Sequence, residues 1–189
     1  MNGILCLFRW IAKVFAVLCL CAAPAAADQN DPRLPSLFEK LRNAEVFSIA
    51  QATERDIWAI WLEWSGAPEV SGAMARGLRA MREADHATAL AAFDTAVRLA
   101  PEFAEAWNKR ATVHFLRGDY TRSIADVRRT LALEPRHFGA LSGLGMINLR
   151  LDRKEDALRA FEAALDLHPY LPVRFEIEAL REAVAGEKI

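Results

Sequence analysis

The sequence predicts an all-α protein built as an α-solenoid of helical hairpins, and three observations predict it. Pro101, Pro135 and Pro169 stand 34 residues apart, and small residues repeat with the same period at positions 77, 111 and 145. No stretch alternates apolar and polar residues with β-branched enrichment over the length of a strand. A sustained period of this length with helical character is typical of stacked hairpins, one hairpin per repeat.

Each repeat is expected to hold two helices joined by a short turn. The expected helices cover residues 70–83 and 86–99, 104–117 and 120–133, and 138–151 and 154–167. The prolines fall between hairpins, because a proline inside a helix lacks its N–H donor and costs roughly 3 kcal/mol. The three repeats are therefore placed at 70–103, 104–137 and 138–171.

Further helices are expected on both sides of the repeats. Apolar residues recur at helical spacing over 36–66, which predicts an N-terminal hairpin packed on the first repeat as a cap. Residues 28–35 hold two prolines and several polar side chains, so we interpret them as a flexible leader. An amphipathic helix at 172–189 is expected to cover the apolar side of the last hairpin, as repeat arrays require.

The repeats resemble the tetratricopeptide repeat family. The middle copy carries the resemblance best, because Trp107 opens it, Gly118-Asp119-Tyr120 forms its turn and Pro135 closes it. Matches in the other two copies are Gly77, Ala89, Phe93 and Ala96, and Leu144, Gly145, Ala157, Phe161 and Ala164. The resemblance covers about residues 70–171 and implies a solenoid of three hairpins that binds other proteins. It does not name the partner, because unrelated ligands are bound on one scaffold.

The first 27 residues have the organisation of a cleaved secretory signal peptide. Arg9 and Lys13 supply positive charge, residues 14–27 are uncharged, and Ala25-Ala26-Ala27 is typical of a cleavage site. A membrane-spanning helix needs roughly 20 apolar residues, so we expect no retained anchor. The protein is therefore expected in the periplasm of a Gram-negative bacterium. The mature chain is expected to form no disulfide, because the signal segment holds all three cysteines, Cys6, Cys19 and Cys21.

The charge balance of the mature chain argues against a nucleic-acid partner. The whole chain has 24 basic and 25 acidic residues, and the signal segment holds two of the basic ones and none of the acidic ones. The remainder carries 22 against 25, a net charge of −3. No basic surplus is available to neutralise a phosphate backbone. Membrane insertion after signal cleavage is not expected either.

The residues needed for catalysis, a metal or a cofactor are not found together. The four histidines occupy different repeat positions, and no His-Glu-x-x-His pattern exists. Ser142 lacks the flanking glycines of a nucleophile elbow, and Gly143-Leu144-Gly145 lacks the third glycine of a dinucleotide site. We therefore expect no enzyme activity, no cofactor and no metal. His114 is expected to be a packed, hydrogen-bonded residue of the core.

Three tryptophans lie within seven residues of the N-terminal hairpin, at Trp58, Trp61 and Trp64. They are consistent with an aromatic binding platform. The favoured alternative is that Trp61 and Trp64 pack against the first repeat, because they share one helical face with apolar neighbours. Trp58 lies off that face and is expected to be the more exposed ring.

The resemblance implies that the first helix of every hairpin lines a concave groove. Carried over by the repeat frame, the groove positions are Met74, Leu78, Met81, Asn108, Thr112, Phe115, Ser142, Met146 and Leu149. Family members that grip a peptide carboxylate place lysine, asparagine and arginine there, and here only Asn108 matches. The groove is instead apolar and rich in methionine, which suits an extended or helical apolar segment. The alternative is that the N-terminal hairpin fills it.

These observations favour an exported scaffold or adaptor that binds a protein or peptide in its groove. Two alternatives stay open: a structural subunit buried permanently in a cell-envelope complex, and an accessory factor with weak enzymatic activity.

Within the middle hairpin, Arg110 stands where many repeats carry leucine, and we expect it to pair with Asp126 on the facing helix.

Cleavage of the signal peptide is testable by intact mass. Material recovered from the periplasm of an expressing Gram-negative host should lack residues 1–27 and begin at Asp28. A product that retains Cys19 or Cys21, with or without a lipid, would contradict both the cleavage site and the expected location.

Overall fold

The computed structural model describes residues 28–186, which contain helices and no strand. The α-helices are α1 (Leu34–Arg42), α2 (Phe47–Leu62), α3 (Pro68–Arg82), α4 (His86–Leu99), α5 (Ala104–Leu116), α6 (Tyr120–Leu133), α7 (Phe138–Arg150), α8 (Lys154–Leu167) and α9 (Ile177–Gly186). A 3₁₀ turn at Pro172–Phe175 precedes α9. The expected all-α class is confirmed, and the expected signal peptide lies outside the described residues.

The three predicted hairpins are α3–α4, α5–α6 and α7–α8, with ends within two residues of those expected. The turn inside each hairpin places one residue at positive φ, and these three residues stand one period apart: Ala84 (55°), Gly118 (76°) and Asp152 (54°). A left-handed residue of this kind ends a helix and starts the return. The next residue caps the second helix: Asp85 and Asp119 accept from backbone N–H groups, whereas Arg153 makes no such bond.

Each hairpin is closed by a small residue on its first helix facing a larger one on its second. A Cβ atom added to Gly77 would lie 2.5 Å from the Phe93 ring, and one added to Gly145 would lie 2.5 Å from the Phe161 ring. Both distances are far inside van der Waals contact. In the middle hairpin the small residue is Ala111, and the facing position holds Val127 in place of phenylalanine. Glycine is therefore required only where the facing side chain is a ring.

Arg110 joins the first two repeats. Its Nε and Nη2 donate to both carboxylate oxygens of Asp126 at 2.7 Å, which is the pairing expected from the sequence. Its Nη1 also donates to Asp94 on α4 at 2.8 Å, which the sequence did not predict. The hydrogen bond to Asp126 raises the pKa of Arg110 further. His114 is buried beside this group, 3.9 Å from Asp126, and burial lowers its pKa, so it packs as a neutral ring.

The N-terminal hairpin does not continue the solenoid as a cap on the first repeat, as the sequence suggested. Instead α1 packs on α8 and α2 packs on α5, so the hairpin lies along the edge where one repeat connects to the next. One core cluster joins Leu34, Phe38 and Leu41 of α1 to Phe138 and Leu171 of the third repeat. Contacts of this kind join residues about 100 or more positions apart in the sequence, and no local pattern predicts them.

The segment before α1 is not a free leader. The amide of Gln29 donates to the Glu102 carbonyl at 2.6 Å and accepts from the Ala104 backbone N–H at 3.3 Å, so it caps α5 from outside the repeat. Asp31 pairs with Arg33 at 2.7 Å and starts the turn into α1. The prolines and polar residues correctly predict a loop, but no local pattern predicts that the loop docks on α5.

The last helix closes the array later than expected. Pro172 begins the 3₁₀ turn, and α9 begins only at Ile177, which packs with Phe161 and Ala157 of the third hairpin. On the outer side, Arg181 donates to Glu162 at 2.9 Å. The helix therefore has the apolar inner stripe and polar outer face that the sequence predicted for a closing helix.

The contact between Gly145 and Phe161 predicts a large effect of one methyl group. Gly145→Ala should lower the free energy of unfolding by about 1–3 kcal/mol, because the added carbon overlaps the ring and the helices must separate. Gly143→Ala is the matched control on the same helix: nothing lies within 4 Å of its added carbon, so it should stabilise by up to about 1 kcal/mol. Urea titration of both variants measures the difference.

The double variant Gly145→Ala/Phe161→Val reproduces the residues of the middle hairpin. It should be more stable than the sum of the two single changes, because valine makes room for the new methyl group. Additive losses would show that the contact does not set the spacing of the helices.

Candidate functional site

A cleft of about 290 Å³ opens between α5 and α7, and we call it the inner cleft. Its walls are Asn108, Ala111, Thr112, Phe115 and Leu116 on α5, and Gly139, Ser142, Gly143, Met146 and Ile147 on α7. Ser123 and Val127 of α6 form its floor. Among the described residues no charged side chain lines it. The inner cleft is therefore suited to an uncharged, mostly apolar group.

The width of the inner cleft comes from the small residues of α7. A Cβ atom added to Gly143 would meet nothing within 4 Å, so this glycine faces open space. Met146 is 47 % exposed and Leu116 is also exposed at the rim. The hydroxyl of Ser142 is buried and has no hydrogen-bond partner within residues 28–186. The inner cleft can therefore contact a ligand through the apolar side chains of Met146 and Leu116 and through the hydroxyl of Ser142.

The structure brings together five of the nine groove residues expected from the sequence: Asn108, Thr112, Phe115, Ser142 and Met146. Leu78 and Met81 pack against the core of the first repeat, and Leu149 is exposed outside the cleft lining. Two expectations of an outward side chain are wrong. Met74 is a buried member of the first core cluster, and Asn108 is only 6 % exposed.

Asn108 is buried because it supports a carboxylate that the sequence analysis did not single out. Its Nδ2 donates to Glu105 Oε2 at 2.9 Å, and Lys109 Nζ lies 2.8 Å from Glu105 Oε1. Burial alone would raise the pKa of Glu105, but Lys109 and His137 outweigh it and hold that pKa below its ordinary value. Glu105 is therefore a buried carboxylate anion, and Asn108 is committed to it.

His137 connects this carboxylate to the N-terminal hairpin. Its Nδ1 accepts from the Ala140 backbone N–H at 3.1 Å, so its Nε2 carries the proton that is donated to Glu105 at 3.0 Å. The ring stacks on Trp61, with centroids 4.1 Å apart and planes 10° from parallel. Trp61 therefore packs at the junction of the middle and third repeats, on His137 and Phe138, and the predicted packing of Trp61 on the first repeat is wrong. Trp64 does pack on the first-repeat core, beside Phe103.

Trp58 is partly buried, which makes it more exposed than Trp61 but not a free ring. It lies edge-on to His137 and Phe138, and a Cβ atom added to Gly139 would lie 2.8 Å from it. Lys109 Nζ lies 4.8 Å from its ring centroid. Because Gly139 also lines the inner cleft, Trp58 stands at the end formed by the first turns of α5 and α7. The N-terminal hairpin covers that end and leaves the rest of the cleft open.

A second histidine, His168, contacts the N-terminal hairpin through Glu54 of α2. His168 is 2 % exposed, and its Nε2 lies 3.3 Å from Glu54 of α2. The Trp58 indole N–H also donates to Glu54, at 3.2 Å. The contact with His168 is the main cause that lowers the pKa of Glu54. No local pattern marks Glu54, Glu105 or His137, since each resembles an ordinary polar residue near a helix end.

Two general properties of residues 28–186 bear on function. No group of three or more His, Cys, Asp or Glu side chains in this part of the chain is arranged to hold a metal ion. None of the described helices combines the length and the apolar character needed to cross a bilayer.

Comparison with known proteins gives consistent matches. A family model described as "Tetratricopeptide repeat" matches residues 74–129 and 117–172, together more than half of the 189-residue chain. A TPR repeat-containing protein of Rhizobium etli is 33 % identical over 164 residues, which cover 86 % of this chain and 80 % of that protein.

Solved structures share the fold at low identity. The first TPR of Spaghetti (RPAP3) bound to the HSP90 peptide SRMEEVD aligns with a TM-score of 0.60 at 18 % identity, over 64 % of this chain and 96 % of that one. The TPR2B domain of yeast Sti1, in a complex with an Hsp70 peptide, aligns with a TM-score of 0.57 at 18 % identity, over 64 % of this chain and 99 % of that one.

The Glu54–His168 contact predicts that the docking of the hairpin depends on pH. A carboxyl group whose pKa is lowered in the folded state stabilises above its unfolded pKa, and this contribution is lost as pH falls through the folded value. Glu54→Gln should therefore lower the free energy of unfolding by roughly 0.5–1 kcal/mol near neutral pH, because Glu54 is partly exposed. The difference from the unmodified chain should vanish as the pH falls below the lowered pKa of Glu54, because both chains then carry a neutral side chain at this position.

The control for this prediction is Glu45→Gln, which changes an exposed carboxylate in the α1–α2 connection. Thermal unfolding of both variants across the acid range measures the effect. A loss in Glu54→Gln that is the same at neutral and acid pH would show that charge does not contribute to the docking.

Proposed function

The chain belongs to the tetratricopeptide repeat family, and from that premise we propose that it is a protein-interaction module whose inner cleft binds an apolar segment of a partner. The segment is an extended or helical peptide that inserts an apolar side chain between α5 and α7. Proteins with these repeats generally mediate protein–protein contacts, and repeat scaffolds of this fold are typically not catalytic. We propose the same for this chain.

One observation carries the proposal: the inner cleft is open in the middle of the array and has no charged side chain on its lining. Gly143 leaves space in its wall, and Met146 and Leu116 expose apolar surface at its rim. Burying one aliphatic side chain there is worth about 1.5–3 kcal/mol. Methionine adapts to ligands of different shape, which fits a partner surface better than one fixed small molecule.

The same lining argues against a peptide held by its acidic C-terminus. The RPAP3 domain binds the peptide SRMEEVD, whose last four residues, Glu-Glu-Val-Asp, include three acidic ones. Here Asn108, the one polar match for a carboxylate-binding position, already donates to Glu105. Glu105 is itself an anion next to that end of the cleft, so it would repel a second carboxylate. An uncharged, apolar ligand is therefore the better fit.

We further propose that the module acts outside the cytoplasm, in the periplasm. The basic, apolar and small-residue parts of residues 1–27 support export, and the absence of cysteine from 28–189 suits an oxidising compartment. A partner in the cell envelope follows from this location.

Filling the cleft tests the proposal. Peptides selected from a displayed random library on residues 28–189 should carry an apolar anchor residue. Gly143→Leu should weaken their binding by at least about tenfold, because the new side chain occupies the space of the anchor. Its stability should not fall, since the wall at Gly143 is open. Fluorescence anisotropy with labelled peptides measures the affinity.

Two further variants make the test specific. Met146→Glu should weaken binding in the same way, because it introduces a charge into an apolar site. Arg76→Glu, an exposed change on α3, should leave the affinity within about twofold. Peptides that bind Gly143→Leu and Met146→Glu as well as the unmodified chain would move the binding surface elsewhere.

A further inference from the structure

A second cleft, of about 370 Å³, lies between α6 and α8, and we call it the outer cleft. Its lining residues on α7 are Leu141, Leu144 and Asn148, whereas the inner cleft uses Ser142, Gly143 and Met146. Helical geometry puts these two sets on opposite sides of α7. The outer cleft is thus a separate surface on the opposite face of the array.

The rim of the outer cleft is basic. It carries Arg128 of α6, Arg159 of α8 and Arg153, the residue at the start of α8. Arg159 pairs with Asp156. Arg128 and Arg153 have no carboxylate within ion-pair distance in the described part of the chain. Two guanidinium groups therefore lie at the cleft without an ion-pair partner, and the carboxylate in the lining, Asp156, is paired with Arg159.

The equivalent cleft one repeat earlier, between α4 and α6, shows what is unusual here. That cleft is lined by Arg110, which pairs with both Asp94 and Asp126 in the same lining. Counting on by 34 residues, the outer cleft has Arg128, Leu144 and Ala160 at these positions. The ion-paired side chains of the earlier cleft are therefore replaced by two apolar residues, Leu144 and Ala160, and by Arg128, which has no ion-pair partner in the described part of the chain.

A second replacement leaves the base of the outer cleft uncovered. In the earlier repeat, the guanidinium groups of Arg110 and Arg129 lie 4.8 and 5.9 Å from the centroid of the Trp107 ring. The corresponding residues one period later are Leu141 and Ala163, and both line the outer cleft. A small aliphatic surface is therefore accessible where the earlier repeat has a ring covered by cations.

Asn148 gives an independent indication of a ligand. Only 6 % of the residue is exposed, and its amide makes no hydrogen bond within residues 28–186, but the polar atoms of the amide keep contact with solvent in the cleft. The amide therefore has a donor and an acceptor that no other part of residues 28–186 uses. Since Asn148 lines the outer cleft, a bound group is in place to use its donor and acceptor.

We propose that the outer cleft binds an acidic peptide segment of a partner protein. A carboxylate of the segment pairs with Arg128 and Arg153, and a neighbouring aliphatic side chain packs on Leu141 and Leu144. Asn148 bonds to the peptide backbone. A peptide fits better than a nucleic acid, because the cleft combines few cations with an aliphatic base and has no open ring for a base to stack on.

A defined peptide pair tests the proposal on residues 28–189. The probe is N-acetyl-Leu-Asp-Leu-Glu-Leu-amide, and its uncharged counterpart has asparagine and glutamine at the acidic positions. In ¹⁵N chemical-shift titrations the acidic probe should shift amides around positions 128, 148 and 153. It should bind at least about tenfold more tightly than the uncharged peptide, and added salt should weaken it.

Variants assign the role of each group. Arg128→Glu should weaken the acidic probe by at least about tenfold, whereas Arg76→Glu, with the same change of charge, should change its affinity by less than about twofold. Asn148→Leu should also weaken the probe without lowering stability, because an unpartnered amide is replaced by an apolar group of similar size. A loss of stability with unchanged affinity would make Asn148 purely structural.

Three outcomes overturn the proposal. The first is that Arg128→Glu leaves the affinity for the acidic probe unchanged. The second is a set of shifts confined to the inner cleft, around Thr112, Gly143 and Met146. The third is a single-stranded oligonucleotide that shifts the outer-cleft amides while the acidic probe does not. Gly143→Leu separates the two clefts, because it should block the inner cleft and leave the acidic probe bound.

Discussion

The close contact between the two helices of each hairpin is the constraint on which the rest of the structure depends. Gly77 and Gly145 lie directly under phenylalanine rings, and Ala111 lies opposite the smaller Val127. Small and large residues therefore change together, and the helix separation is kept similar in all three hairpins. Because similar hairpins stack in a regular way, the first helices line one face and the second helices line the other. Both clefts are consequences of this spacing.

The junction at His137 determines how much of the inner face stays accessible. His137 is bonded to the first helix of the middle repeat through Glu105, and it stacks on Trp61 of the N-terminal hairpin. Its Nδ1 is occupied by a backbone N–H, so its proton is fixed on the side of Glu105. His137 thus contacts three parts of the chain: α5, the start of α7 and α2. Its hydrogen bonds allow one tautomer, with the proton on Nε2. The hairpin is held at the connecting edge, and the inner cleft beyond Gly139 remains open.

The sequence predicted well those features that repeat or that lie close together along the chain. The proline period located the hairpins to within two residues, and the paired positions of Arg110 and Asp126 on facing helices predicted their ion pair.

The docking of the N-terminal hairpin could not be predicted in this way. Trp61 stacks on His137, and Gln29 accepts a hydrogen bond from the Ala104 backbone N–H; each contact joins residues 75 or more positions apart in the sequence. These contacts depend on the path of the whole chain, and a pattern that places residues on a helical face does not name the opposing surface. Asn108 was assigned to the groove for the same reason, since the burial of its partner Glu105 follows from that docking.

The residues proposed to bind ligands are those at which one repeat departs from its neighbours. Positions that repeat faithfully, such as the glycine–phenylalanine pairs, are used for packing, and the same packing is needed in every repeat. Arg128 in place of Asp94, Leu141 in place of Trp107 and Asn148 in place of His114 do not improve packing, and each leaves a group unsatisfied or a surface uncovered. A bound partner would supply the contacts that these residues lack within the chain. The inner and outer clefts also lie on opposite sides of α7, so their ligands do not compete for space. A chain of three repeats can in this way hold an apolar and an acidic segment at once, and α7 is the element that both would contact.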